Sequence, residues 1–149
     1  MSSPAFTPGR AIITAGNLMY SIGAYIADFN ETHVYHPSWP GHARFHNGQT
    51  MSLGICLASM SLYFAYRPVF TAGMSAEAVR QNMLWSAVIG SFYCAAGMSA
   101  ILYPGAQWYD PPLTQDPGQR WLFSGICVAM GFGYALESWR LGKGKGKRV

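Results

Sequence analysis

All four histidines of this chain, His33, His36, His42 and His46, fall inside one short stretch, and two carboxylates, Asp28 and Glu31, stand just ahead of it. Asn47 and Gln49 follow directly behind. Carboxyl and imidazole groups held together in a partly dry cleft are suited to moving protons. Burial raises a carboxyl pKa and lowers an imidazole pKa, so both approach neutrality, where general acids and bases work best. On this reasoning Asp28, Glu31, His33, His42 and His46 are the candidate catalytic groups. Asn47 and Gln49 are candidates for orienting a substrate. The plainer alternative is that the histidines are polar anchors at a membrane surface. His33 and His36 flank a proline-bearing turn, which makes them the weaker candidates.

The same residues admit a metal reading. His42 and His46 have the four-residue spacing that lets two imidazoles on one helix share an ion, and Asp28, Glu31 or His33 would complete the set. The chain has no His-Glu-x-x-His motif, so the expectation is an enzyme with no metal and no organic cofactor. A nucleotide loop, a haem motif and a nucleophilic-serine signature are likewise not seen.

Helical spacing suggests how these groups are positioned. Asn17, Ser21, Tyr25 and Asp28 recur at intervals that place them on one stripe of a first helix, running from the histidine-rich loop into the bundle. Polar groups at such depth should face protein or water, not lipid. Ser38-Trp39-Pro40 resembles a helix start with proline in the first turn. A helix from about Pro40 puts His42, His46 and Gln49 on one face, with Trp39 and Phe45 as an apolar wall. The third apolar segment ends in YPGAQWYDPP, where Gln107, Tyr109 and Asp110 are placed to cap the pocket. The candidate substrate-binding residues are therefore Asn17, Tyr25, Trp39, Asn47, Gln49, Tyr109 and Asp110.

The distribution of charge indicates the fold class. Only 11% of the 149 residues are charged, against about a quarter in a typical soluble domain. Stretches of 17, 22, 29 and 16 residues without Asp, Glu, Lys or Arg separate Arg10 from Asp28, Arg44 from Arg67, Arg80 from Asp110, and Arg120 from Glu137. A bilayer core needs roughly 17–25 mainly apolar residues per helix. The sequence thus predicts an all-α integral membrane four-helix bundle, with spans near 11–29, 48–67, 81–104 and 120–140. Residues 1–10 form a cytosolic N-terminus, 11–140 one transmembrane domain with its histidine-rich loop at 30–47, and 141–149 a flexible basic tail. No cleavable signal is evident, and the first span reads as a signal anchor. Arg67-Pro68, Pro104-Gly105 and Asp116-Pro117-Gly118 mark turns. Arg10, Arg67, Arg80, Arg140 and the basic tail share one side, and only Arg44 and Arg120 lie on the other, which predicts cytosolic termini. Trp39, Trp108, Tyr109, Trp121 and Trp139 sit near predicted span ends, as interfacial anchors.

Small residues four apart allow close helix approach in lipid. Ala87, Ser91, Ala95 and Ser99 form one such ridge and Gly125, Ala129 and Gly133 another, predicting a tight hairpin of the third and fourth spans. Cys56, Cys94 and Cys127 each fall mid-span and read as small core residues. Glu137 and Arg140 read as a surface pair. Asn30-Glu31-Thr32 is a glycosylation sequon that abuts the membrane.

The stretch NETHVYHPSWPGHARFHNGQTMSLG resembles the core of an uncharacterised, largely fungal family of small four-span membrane proteins. The shared pattern is Thr32-His33 followed by Trp39, His42, His46 and Asn47 in a Trp-x-x-His-x-x-x-His-Asn signature, and members often carry Asn where this chain has His36. Members tend to occur beside natural-product pathways. The resemblance implies an enzyme or helper acting on a lipophilic intermediate. A looser analogy exists to sterol-isomerase and emopamil-binding bundles, which perform acid–base chemistry on carbocations. Together these readings predict a membrane enzyme of the endoplasmic reticulum that isomerises, cyclises or hydrolyses a polyketide or terpenoid, for example by epoxide opening. Its expected partners are the lipophilic substrate, the bilayer, and further copies or pathway enzymes, with no nucleic acid. The rival readings are a non-enzymatic subunit or scaffold for partner enzymes, and a metal-dependent membrane enzyme using histidine and carboxylate ligands.

Overall fold

The computed structural model describes residues 3–109 and 118–143. They form four long helices: α1 (Pro8–Asp28), α2 (Gly41–Phe70), α3 (Ala76–Ser99) and α4 (Gln119–Lys143). Among the described residues there is no strand. Thr7 starts α1 by accepting the Arg10 backbone N–H at 3.3 Å, with proline in the first turn, where its missing N–H costs nothing. Ser75 does the same for α3, accepting the Ala78 N–H at 3.1 Å, and Glu77 adds a negative charge beside the positive end of the helix dipole. After α3 a short 3₁₀ turn, Ala100–Leu102, runs into Pro104 and into Gly105, whose φ of 79° suits glycine. The second helix starts several residues before the predicted span. It begins directly after Pro40, so the histidine-rich segment supplies its first turns. The predicted Asp116-Pro117 turn lies outside the described residues.

The helices pack as an antiparallel ring in chain order, with α3 against α2 and α4, and α1 closing the ring between α2 and α4. Ile13, Met83, Cys94, Ile126 and Met130 form the centre of the apolar core. A polar chain crosses it. The Tyr20 hydroxyl donates to Asn17 Oδ1 at 2.9 Å, and Asn17 Nδ2 donates to Ser61 Oγ at 2.8 Å. Ser61 Oγ donates on to the Ser86 carbonyl, and Ser86 Oγ returns a bond to the Ser61 carbonyl, each at 2.8 Å. This network ties α1, α2 and α3 together and satisfies the groups it buries.

Two of the four helices, α2 and the Ala76–Leu102 segment, are long and apolar enough to cross a membrane. That is fewer than the four predicted spans. Among the residues of α1 are Arg10, Asn17, Tyr20 and Ser21, and among those of α4 are Glu137 and Arg140, which dilute their apolar character.

Several packing expectations are corrected. The third and fourth helices do pack closely, but only part of the predicted ridges takes part: Ala87 is buried in the core and the Ser91 carbonyl accepts from Cys127 Sγ at 3.8 Å. Ala95, Ser99 and Gly125 are exposed, and a Cβ at Gly125 would meet nothing. Gly133 turns instead toward α1, where a Cβ would come within 2.8 Å of the Gly9 carbonyl oxygen and of Ile13 Cγ1. The close α3–α4 approach falls at Gly97 against Phe123 and at Gly90 against Met130. Cys56, read as a core residue, is exposed, whereas Cys94 is buried and Cys127 half-buried. Glu137 is not a surface residue: it is 1% exposed, and its Oε2 accepts from Arg140 Nε and NH2 at 3.0 and 2.9 Å. Arg10 is buried at the same end, donating to the Ala65 carbonyl, to Ser3 Oγ and to the Pro4 carbonyl.

Candidate functional site

At the opposite end of the bundle the helices part around a cavity of about 1030 Å³. Its walls within the bundle come from the last turns of α1, from Tyr93 on α3, and from Leu122 and Phe123 on α4. Tyr20 and Tyr93 stack with ring centroids 5.2 Å apart, and Phe123 meets Tyr93 edge-on at 6.1 Å, so aromatic faces form the inner wall. Gly23, Ala24 and Ala27 leave the α1 wall without bulk. The polar lining is concentrated in Asp28, Glu31, Thr32, His33, His36 and Gln107, with Trp39, Trp108 and Tyr109 beside them.

The loop that carries His33 and His36 is held by consecutive tight turns. Val34 N–H donates to the Asp28 carbonyl at 3.1 Å, His36 N–H to the His33 carbonyl at 3.0 Å, and Trp39 N–H to the His36 carbonyl at 3.2 Å. Arg44 NH2 reaches back from α2 to the His36 carbonyl at 2.9 Å. The Trp39 ring lies edge-on to His33 at 5.1 Å and tilted against His36 at 6.1 Å, bracing both imidazoles.

Hydrogen bonds at Nδ1 assign the two rings opposite roles. The Thr32 hydroxyl donates to Asn30 Oδ1 at 2.6 Å. A hydroxyl has one hydrogen, so the Thr32 oxygen, 2.7 Å from His33 Nδ1, must accept there. Neutral His33 then carries its proton on Nδ1 and a free lone pair on Nε2. That Nε2 faces Asp28 Oδ1 at 3.9 Å. His36 is the reverse case. Its Nδ1 accepts the Ser38 backbone N–H at 3.3 Å, so the neutral ring carries its proton on Nε2 and is a donor. The rim thus holds one imidazole with a free Nε2 lone pair and one with an Nε2–H. Asp28 is fixed from α2 as well, since Asn47 Nδ2 donates to its Oδ2 at 3.1 Å.

A family model described as a family of unknown function (DUF6640) matches residues 12–148. The chain belongs to this family. No curated protein and no solved structure matches it.

In this DUF6640 member the sequence-predicted residues divide into groups. Asp28, Glu31, His33, Trp39 and Tyr109 come together around the cavity. His42 and His46 do not line it. They share the exposed face of the first turns of α2 with Gln49, which contacts His46 and not the cavity. Asn17 belongs to the buried network, and Tyr25 is 38% exposed on another face of α1. Tyr25 lies eight residues beyond Asn17, roughly 80° further around the helix, so the predicted stripe splits. Asn47 bonds Asp28 and leaves its own Oδ1 buried without a partner among the described residues. Asp110 lies outside the described residues. The sequon residue Asn30 uses its Nδ2 to cap α1, donating to the Ala27 carbonyl at 2.7 Å.

Sequence reasoning underrated His36 and missed Tyr20, Tyr93, Leu122, Phe123 and Trp108. Nothing in the spacing of His33 and His36 marks them as a pair, because they lie in turns without a period. Tyr20 was findable: it stands one helical turn from both Gly23 and Ala24, on the face that continues to Asp28.

Proposed function

We propose that this protein is a membrane enzyme in which the cavity binds a lipophilic polyketide or terpenoid, His33 and Glu31 move its protons, and His36 orients it by a hydrogen bond. The observation that carries the proposal is the cavity itself, with aromatic and small apolar walls at its inner end and Asp28, Glu31, His33 and His36 at its rim. Concave sites with apolar walls and a few convergent polar groups are the usual seats of small-molecule chemistry.

In the proposed reaction His33 Nε2 takes a proton from a substrate carbon or from an attacking water. Asp28 stabilises the imidazolium that results. The His36 Nε2–H donates a hydrogen bond to a carbonyl or epoxide oxygen, and Glu31, as general acid, gives the proton. For isomerisation one proton leaves and one enters, so the substrate keeps its composition. For epoxide hydrolysis water supplies the new hydroxyl, His33 receives the proton that water loses, and Glu31 protonates the opened oxygen. General acid–base help of this kind contributes typically 10²–10⁴-fold in rate.

The bilayer setting is part of the proposal: four spans, with the termini cytosolic and the His loop lumenal in the endoplasmic reticulum. It is supported by an inverted surface. Arg10, Asn17, Ser61, Ser86 and Glu137 are buried, while Ile22, Leu53, Phe92, Val128 and Phe132 point outward from the middle of the four helices. Water penalises such an arrangement, and lipid does not.

The test is genetic and chemical. Removing the protein from its native host should cause one lipophilic intermediate to accumulate, and wild-type chain should clear it. Variants His33→Ala and Asp28→Asn should express as monodisperse protein yet fail to clear it. Full complementation by both variants would overturn the catalytic reading in favour of a scaffold.

A further inference from the structure

The two histidines outside the cavity form an arrangement of their own. His42 and His46 lie one helical turn apart on α2, and their Nε2 atoms are 3.0 Å apart with the rings crossed at 76°. His46 Nδ1 lies 3.1 Å from Gln49 Oε1, an oxygen that can only accept. That bond holds the His46 proton on Nδ1 and leaves its Nε2 lone pair directed at His42. We propose that His42 and His46 form a chelate for a divalent transition metal of the copper(II) or nickel(II) kind.

The separation of the two nitrogens admits a shared ion, and an imidazole pair with open positions favours copper(II) most among divalent first-row metals. Imidazole–metal bonds are about 2.0–2.1 Å long, so an ion bound equally to two nitrogens at this spacing subtends roughly 94°. That is the angle between neighbouring positions in a square-planar or tetragonal complex, which copper(II) and nickel(II) favour. It is well below the tetrahedral angle of structural zinc. Gln49 supplies the outer hydrogen bond that such ligands use to fix ring and tautomer. In the metal-free pair His42 Nε2 carries the proton donated to His46. On binding, that proton moves through solvent to His42 Nδ1, so the neutral pair takes up the ion without net proton release. Among the described residues no set of three or more His, Cys, Asp or Glu side chains could hold a metal, so solvent ligands fill the other positions. Both rings are exposed, and an ion reaches them directly. This site is independent of the cavity and of the reaction proposed there.

The test uses the purified full chain in detergent, titrated with copper(II) and followed by calorimetry and electron paramagnetic resonance. One equivalent should bind with an axial spectrum showing two coupled nitrogens. His42→Ala and His46→Ala should each weaken binding by at least about tenfold, and Gln49→Leu by about tenfold. His33→Ala and His36→Ala should leave the affinity unchanged, and circular dichroism should show intact helices throughout. Absence of copper binding would overturn the proposal. So would binding that survives the loss of both His42 and His46, binding equally sensitive to His33→Ala, or displacement of copper by an equal concentration of zinc.

Discussion

Two glycines on the same helix, Gly125 and Gly133, face opposite fates if given a methyl group. At Gly133 a Cβ would sit 2.8 Å from the Gly9 carbonyl oxygen and 2.8 Å from Ile13 Cγ1. Ordinary contact begins near 3.4 Å, so α1 and α4 would have to part by about 0.6 Å (3.4 − 2.8). One obstacle is backbone, so a rotamer change cannot relieve it. Overpacking of this kind costs typically 1–3 kcal/mol. At Gly125 a Cβ meets nothing within 4 Å. Both substitutions also bring the helix-propensity gain of alanine over glycine, about 0.8–1.0 kcal/mol. That gain is common to the two variants and cancels in their difference. Gly133→Ala should therefore be less stable than Gly125→Ala by about 1–3 kcal/mol, and Gly125→Ala should be no less stable than the parent. Unfolding in detergent, followed by helical circular dichroism against a denaturant series, measures the difference directly. Equal stabilities within about 0.5 kcal/mol, or a reversed order, would refute the α1–α4 packing and restore the ridge through Gly125 and Ala129.

Ser61→Ala removes the acceptor of Asn17 Nδ2 and the donor to the Ser86 carbonyl. It should cost about 1–2 kcal/mol in the same assay, and an unchanged transition would show that the polar chain adds nothing. Glu137→Ala leaves Arg140 without its carboxylate and the buried Arg10 without a nearby negative charge; it should cost roughly 3 kcal/mol, read as a lowered unfolding midpoint. Gly23→Leu fills open space on the cavity wall, so it should abolish complementation in the native host without lowering the unfolding midpoint. Lys145→Cys, in a chain whose three native cysteines are replaced, should be labelled by an impermeant thiol reagent from the cytosolic side of sealed microsomes, and labelling from the lumen alone would invert the proposed topology.

The helices were legible in the sequence because a long stretch without charge and a turn signal at each end leave few alternatives. Pro104-Gly105 acts where it was read, whereas Arg67-Pro68, read as a stop, lies inside α2, which runs on to Phe70, and the Thr7-Pro8 start of α1 was not singled out. The faces of the helices were less legible. Gly125, Ala129 and Gly133 have ideal spacing for a ridge, yet successive four-residue steps rotate a further 40° around a helix. Over eight residues Gly133 turns to α1 and Gly125 turns outward. The same drift separates Asn17, which joins the core network, from Tyr25, which is exposed. Spacing alone cannot show which neighbour a stripe will meet. Burial of Glu137 was hidden for a related reason: its pairing with Arg140 looks the same in sequence whether the helix face meets solvent or Gly9.

The candidate site illustrates a further distinction. Periodicity draws attention to His42 and His46, because a helix converts a four-residue interval into proximity, and the two rings do meet. What it cannot convey is that a turn can do the same for residues that share no period. His33 and His36 reach one rim through backbone bonds from Val34 to Asp28 and from His36 to His33. Their tautomers are then set by two short polar neighbours, Thr32 and Ser38. Threonine commits its hydrogen to Asn30 and takes one from His33, and the Ser38 amide gives one to His36. The tautomer difference between the two side chains therefore comes from their loop neighbours, and substitution at Thr32 should alter it without touching either imidazole. Thr32→Val keeps the shape and removes the acceptor at His33 Nδ1. The ring is then free to hold its proton on Nε2, so clearance of the accumulated intermediate should fall while the unfolding midpoint holds. Undiminished clearance by Thr32→Val would remove the tautomer argument and leave the base assignment resting on Asp28 alone.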